Sequence, residues 1–86
     1  MTYRKKPVEV EAVQYLGDNT VEVADFMAGR SPRFKSDGNG NLWMEIDTPE
    51  GGAIQANRGD WIVKNVMGEF YPCNSDLFEA TYEEVH

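Results

Sequence analysis

The chain predicts an α+β domain: mainly antiparallel β-sheet or a small barrel, with one helix after the first strand and a short helical turn near the C-terminus. Three observations predict it. Apolar and polar residues alternate at period two around residues 8–12 and again over 42–47, the signature of half-buried strands. One stretch, residues 20–28, switches to helical spacing. The second half is a series of short β-favouring runs separated by Gly-, Asn- and Asp-rich turns. At 86 residues the chain is one domain, 1–86.

The first strand covers residues 8–16, with Pro7 suited to its start. Val8, Val10 and Ala12 alternate with Glu9 and Glu11, then the phase slips, because Val13 and Tyr15 fall on the side that carried the glutamates. A bulge near Ala12, or a strand that serves two layers, would explain the slip. Gly17-Asp18 ends this strand. Asn19, with Glu22 three residues on, has capping-box spacing, and Val23, Phe26 and Met27 share one face, so a helix is expected from Thr20 to Ala28. Gly29 and Pro32 stop it.

Arg33–Ser36 is a weak strand, and Asp37-Gly38-Asn39-Gly40-Asn41 turns the chain. Leu42–Asp47 alternates well, with Leu42, Met44 and Ile46 set against Trp43, Glu45 and Asp47. The chain turns at 48–52, returns over Ala53–Ala56 and turns again at 57–60. Strands Trp61–Val66 and Glu69–Cys73 follow, with a reversal at Met67-Gly68. This spacing suggests an antiparallel meander. Asn74-Ser75-Asp76 is a cap cluster, so Ser75–Glu79 should form a helical turn with Leu77 and Phe78 facing inward. Ala80–Val85 favours a last strand, with a helix continuing to Glu84 as the competing reading.

With 41% hydrophobic residues and ten aromatics, the composition is that of an ordered fold. Cys73 is the single cysteine, so no intrachain disulfide can form. Neither a signal peptide nor a membrane span is expected, which makes the cytosol the expected address. The net charge of −7 is unevenly placed: residues 1–35 carry six basic and five acidic side chains, residues 36–86 two basic and ten acidic. Such a balance disfavours tight nucleic-acid binding and favours basic partners, or simply a well-solvated surface.

The motifs that hint at chemistry each have a plainer account. Asp37 to Asn41 imitates the first half of a calcium loop. The match fails at Leu42, where Gly is needed for the sharp turn, and at Thr48, where a bidentate Glu belongs. Arg58-Gly59-Asp60 spells an integrin-type tripeptide but is ordinary turn chemistry before a strand. Cys73 as a nucleophile would need a base, and the single histidine is His86 at the very end. Paired carboxylates such as Glu9/Glu11 and Glu45/Asp47 belong to solvated strand faces. No catalytic residue, metal ligand or cofactor is therefore assigned, and an enzyme is not expected.

Trp61, Phe70 and Tyr71 are the remaining feature. In a hairpin of the last two strands, Trp61 and Val63 oppose Ile62 and Lys64, while Phe70 and Pro72 oppose Tyr71 and Cys73. Either one set is core and the other an exposed aromatic patch, or both pack through a second layer. With Asp60, Glu69 and Trp43, these aromatics are the candidate partner-binding residues.

Two stretches carry a resemblance: Tyr3 through Gln14, and Gly59-Asp60-Trp61-Ile62-Val63-Lys64 continuing to Gly68-Glu69-Phe70-Tyr71-Pro72-Cys73, with the ending Phe78 to Glu83. Together they resemble a widespread set of small phage and prophage proteins of unknown function. The resemblance implies a bacteriophage gene product acting in a bacterial host, and it assigns no active site. The expected function is then that of a non-enzymatic accessory protein binding a host or phage protein, in a way that modulates host metabolism or defence. A nucleic-acid-binding module using the basic spot of Arg4, Lys5, Lys6, Arg30, Arg33 and Lys35 is the second reading, and a structural, self-assembling phage component the third. A homo-oligomer formed through a free strand edge fits any of these.

Overall fold

A computed structural model describes residues 1–2, 10–28, 30, 32–48, 50–65 and 67–83. The element order is β1 (Glu11–Gln14), α1 (Thr20–Phe26), β2 (Arg33–Ser36), β3 (Leu42–Asp47), β4 (Ala53–Asn57), β5 (Trp61–Lys64), β6 (Phe70–Cys73) and α2 (Ser75–Thr81). The fold is α+β, with two antiparallel three-stranded sheets in the orders β1-β5-β6 and β2-β3-β4. One sheet is the expected meander. The other takes β1 from the start of the chain and lays it against the β5–β6 hairpin, so the strands form two sheets in place of one continuous meander.

The first strand explains its own phase slip. Its ladder with β5 runs without a bulge from Glu11–Lys64 through Ala12–Val63 and Val13–Ile62 to Gln14–Trp61. Val13 and Tyr15 turn into the main core, whereas Ala12 shares a face with buried Val63. The strand serves two layers. The strand was expected over residues 8–16; residues 3–9, which include its expected start, lie outside the described residues, and β1 stops at Gln14, two residues short of expectation.

Helix α1 ends at Phe26, two residues short of expectation, where Ala28 N–H bonds the carbonyl of Asp25 and tightens the last turn. Asn19 sits at its N-cap but does not cap it. Its Oδ1 instead accepts Leu16 N–H (2.8 Å), and its amide donates to the Gln14 carbonyl and to Glu22 Oε1 (both 2.7 Å). The residue thus ties the helix back to the end of β1. Val23 and Met27 are buried and Phe26 packs beside them. At Gly17 φ is +91°, and a Cβ there would lie 3.0 Å from Leu42 Cδ1 and 3.3 Å from the Arg58 side chain. Only glycine fits the backbone and the space together.

The core is Tyr15, Val23, Met27, Met44, Ile46, Ala56 and Ile62, with Val13, Phe26 and Phe70 against it. It lies between α1, the inner face of β2-β3-β4 and one face of β1-β5-β6. The Trp61–Val66 run stops at Lys64 because Asn65 opens a turn: its Oδ1 accepts the amides of Met67 and Glu69 at 2.9 and 3.0 Å. Val66 lies outside the described residues, and β6 begins at Phe70, one residue later than expected. Strand β4 runs one residue further than expected, to Asn57.

The expected strand over 80–85 is replaced, over the described residues, by helix and extended chain. Ala80 and Thr81 end α2, and the Tyr82 N–H bonds the Phe78 carbonyl at 2.9 Å before the chain extends. Residues 84–86 lie outside the described residues. Asn74 caps α2, accepting the amides of Asp76 (2.9 Å) and Leu77 (3.3 Å), and this fixes the helix phase. Phe78 and Tyr82, four residues apart, therefore face the sheet, whereas Leu77 is 61% exposed and not inward as expected.

Candidate functional site

The two sheets meet where β4 approaches β6, a contact without a shared hydrogen-bond ladder. At one end of this seam a cleft of about 150 Å³ opens, lined by Arg30, Ile46, Asp47, Thr48, Glu50, Ile54, Glu69, Phe70 and Tyr71. Each wall follows from local structure. The β3–β4 turn is closed by Thr48 N–H to the Gly52 carbonyl (2.9 Å) and by Gly52 N–H to Thr48 Oγ1 (3.1 Å), which holds Glu50 at the rim. Phe70 faces inward with its ring edge-on to Phe26, centroids 5.6 Å apart. Ile46 is buried beneath, and Ile54 remains 37% exposed.

The cleft thus has an apolar floor and a rim of three carboxylates and one guanidinium. Asp47 is partly neutralised, because Arg33 Nη1 reaches its carboxylate at 2.8 Å while Arg33 Nε reaches Glu45 at 3.4 Å. Glu50 and Glu69 are exposed and, among the described residues, form no ion pair. Pockets for small molecules run to roughly 300–1,000 Å³, so a cleft of this size suits one side chain of a partner better than a metabolite. An aliphatic stem on Ile46, Ile54 and Phe70 with a cationic head at Glu50 and Glu69 matches the lining.

The six sequence candidates fall in three places. Glu69, Phe70 and Tyr71 come together at the cleft. Trp61 and Asp60 lie elsewhere on the same sheet, and Trp43 sits on the outer face of the other sheet. Asp60 is engaged in the turn: its carboxylate accepts Asn57 N–H at 2.8 Å, and its carbonyl accepts Tyr15 N–H at 2.8 Å. Trp61 is covered by α2. Its ring stacks on Phe78 with centroids 4.3 Å apart and planes 12° from parallel, and Phe78 in turn meets Tyr82 at 5.0 Å. The Trp61 indole N–H is buried and, among the described residues, has no hydrogen-bond partner. Both aromatic sets of the hairpin are therefore packed, one into the core and one under α2.

Two phenols feel this packing. The Tyr71 hydroxyl lies 3.5 Å from that of Tyr82, and this contact with burial pushes its pKa up to about 12. Burial also raises Tyr15, against the opposing charge of Arg58. In the turn that imitates a calcium loop, the Asp37 carboxylate accepts Asn41 Nδ2 (2.6 Å) and the amides of Asn39 and Asn41. These bonds lower its pKa and account for the turn as hairpin chemistry.

Glu50 and Ile54 join the cleft without any sequence signal, and Asp47 and Arg30, singled out in the sequence as a solvated carboxylate and part of a basic spot, join it too, because the apposition of β4 and β6 creates it. No helix among the described residues is long and apolar enough to cross a membrane. Comparison with protein-family models, with curated proteins and with solved structures found no match to this chain.

Proposed function

We propose that this chain is a bacteriophage accessory protein that acts in the host cytoplasm by binding a host or phage protein, without catalysis of its own. The observation that carries the binding part is the seam cleft, where an apolar floor of side-chain size is rimmed by Glu50 and Glu69. A lysine or arginine projecting from the partner fills such a site, with its stem on Ile54 and Phe70 and its charge at the rim. The surplus of acidic residues after residue 36 supports a basic partner surface in the same sense, by steering its approach. The phage origin rests on the resemblance of the first and last thirds of the chain. Modulation of host metabolism or defence is the role that this origin suggests.

The test is expression of the tagged chain in its bacterial host and identification of what co-purifies. One dominant protein is expected, lost when Glu50→Lys and Glu69→Lys are combined. It should be retained when the same charge change is made on α2 with Asp76→Lys and Glu79→Lys. Equal retention by both variants would remove the cleft from the interface, and equal loss would reduce the interaction to net charge.

A further inference from the structure

The two sheets end in four edge strands, β1, β6, β2 and β4, and these are not equally closed. On β6, Asn65 N–H bonds the Glu69 carbonyl at 2.9 Å, and bonded pairs alternate from there, so Phe70 and Pro72 turn their backbone groups away from β5. Pro72 has no N–H to offer there. On β1 the outward carbonyl of Gln14 is taken by the Asn19 amide at 2.7 Å. On β4 the outward N–H of Asn57 goes to the Asp60 carboxylate at 2.8 Å, and β6 stands across the seam. Strand β2 has no such closure. Asp37 N–H bonds the Asn41 carbonyl at 3.3 Å, so Lys35 and Arg33 hold β3 through their backbone while Phe34 and Ser36 turn theirs outward. Among the described residues nothing takes the N–H and C=O groups of Phe34 and Ser36, and the whole strand is exposed. The side chains along this edge differ by face. Phe34 lies on the core side, its ring 5.9 Å from that of Tyr15 and 36% exposed. On the other face Arg33 is satisfied by Glu45 and Asp47, whereas Lys35, opposite Trp43, is in no ion pair among the described residues.

We propose that the free edge of β2 docks an extended acidic segment of a partner protein, which joins the β2-β3-β4 sheet as an added strand with an apolar–acidic–apolar run set against Ser36, Lys35 and Phe34. The outward N–H and C=O groups of Phe34 and Ser36 are what an incoming strand pairs with, and they supply the affinity. The side chains supply the choice of partner. A carboxylate opposite Lys35 completes a cross-strand ion pair, and an apolar residue opposite Phe34 extends the core face over its exposed ring. A second copy of the chain fits this edge worse. Two β2 strands related by a twofold axis set Phe34 opposite either Phe34 or Ser36. The first register places Arg33 beside Lys35 and the second places Lys35 against itself, and like charges directly opposite are destabilising. The β2 edge and the seam cleft share no side chain, and each stands or falls without the other.

The experiment is a titration of the full chain, followed through its backbone amide resonances, with the capped hexapeptide Thr-Val-Glu-Val-Thr-Gly and with its counterpart carrying Lys in place of Glu. Sedimentation of the chain alone accompanies it. Saturable shifts and slowed hydrogen exchange are expected at the Phe34 and Ser36 amides, and neither at the Phe70 amide. The Lys peptide should bind about fivefold more weakly, and Lys35→Glu should reverse the order of the two peptides. Ser36→Pro removes one outward donor while the ladder with β3 is kept, so it should weaken binding about fivefold with an unchanged circular dichroism spectrum. A dimer of the chain alone that protects the same two amides would give the edge to a second copy and overturn the proposal. Absence of shifts at millimolar peptide, shifts confined to other surfaces, or equal binding of the two peptides by the unaltered chain would overturn it as well.

Discussion

The two sheets have the same number of strands and the same antiparallel pairing, yet they are covered differently. The β1-β5-β6 sheet is packed on both faces: Val13, Ile62 and Phe70 face the core, while Trp61, Val63 and Tyr71 lie on the α2 side. The β2-β3-β4 sheet is packed on one face, where Met44, Ile46 and Ala56 are buried, and carries Arg33, Lys35, Trp43 and Glu45 on the other. Ile62 and Val63 are consecutive and both fully buried, which a sheet with one wet face does not allow. A sheet sealed on both faces resists change, and the open sheet and the seam are where this molecule can meet others.

Substitution at equivalent apolar positions should expose the difference. Ile62→Ala is expected to lower stability by about 2–4 kcal/mol, the range for truncating a fully buried isoleucine. Ile54→Ala, at a side chain 37% exposed on an edge strand, should cost less than half of that. Denaturant midpoints measure both, and equal losses would mean that the seam is closed in solution.

A smaller effect should sharpen the comparison on the α2 side. Helix α2 has no buried residue of its own, so its hold on the sheet rests largely on the Trp61–Phe78 stack and on Tyr82. Phe78→Ala should cost about 1–2 kcal/mol and raise hydrogen exchange in α2 while the amides of β5 remain protected. Loss of protection in β5 would make α2 part of the core's cooperative unit.

The smallest effect is in alkali. The folded Tyr71 phenol titrates near 12 against an ordinary 10.0, so the folded state holds its proton where the unfolded chain releases it. Its stabilising contribution is complete below about pH 10 and is lost as pH rises through 12. Tyr82→Phe should flatten that decline in a pH series of unfolding midpoints. An unchanged slope would assign the decline to Tyr15.

The strand order of the open sheet was legible because alternation at period two is a local signal. Leu42–Asp47 and Arg33–Ser36 emerge with the expected bounds. The sealed sheet was less so. In Trp61-Ile62-Val63 apolar residues occupy both parities, and that run is compatible with several arrangements until the second layer is known. The last strand failed for a related reason: Thr81 and Tyr82 are β-favouring by type, but Tyr82 lies at helical spacing from Phe78, and the helix that the Asn74 cap starts runs on through Thr81. Of the candidate residues, Glu69, Phe70 and Tyr71 come together because they are consecutive in the chain, at the start of β6. Their neighbours across the seam are far away in sequence and have no local pattern that could announce them.

The clamp between β1 and the turn before β5 has a kinetic consequence. Gly59 N–H meets the Tyr15 carbonyl at 2.6 Å, and Gln14 Nε2 meets the Gly59 carbonyl at 3.0 Å from 45 positions away. The meander and the β5–β6 hairpin each close over short loops, but β1 can pair only after the intervening chain has doubled back. Closure of that long loop carries the larger entropic cost, and it is expected to come late. The order of events in folding is thus written into a few hydrogen bonds at one corner. The β2-β3-β4 sheet can be assembled as a loop before its two ends are tied.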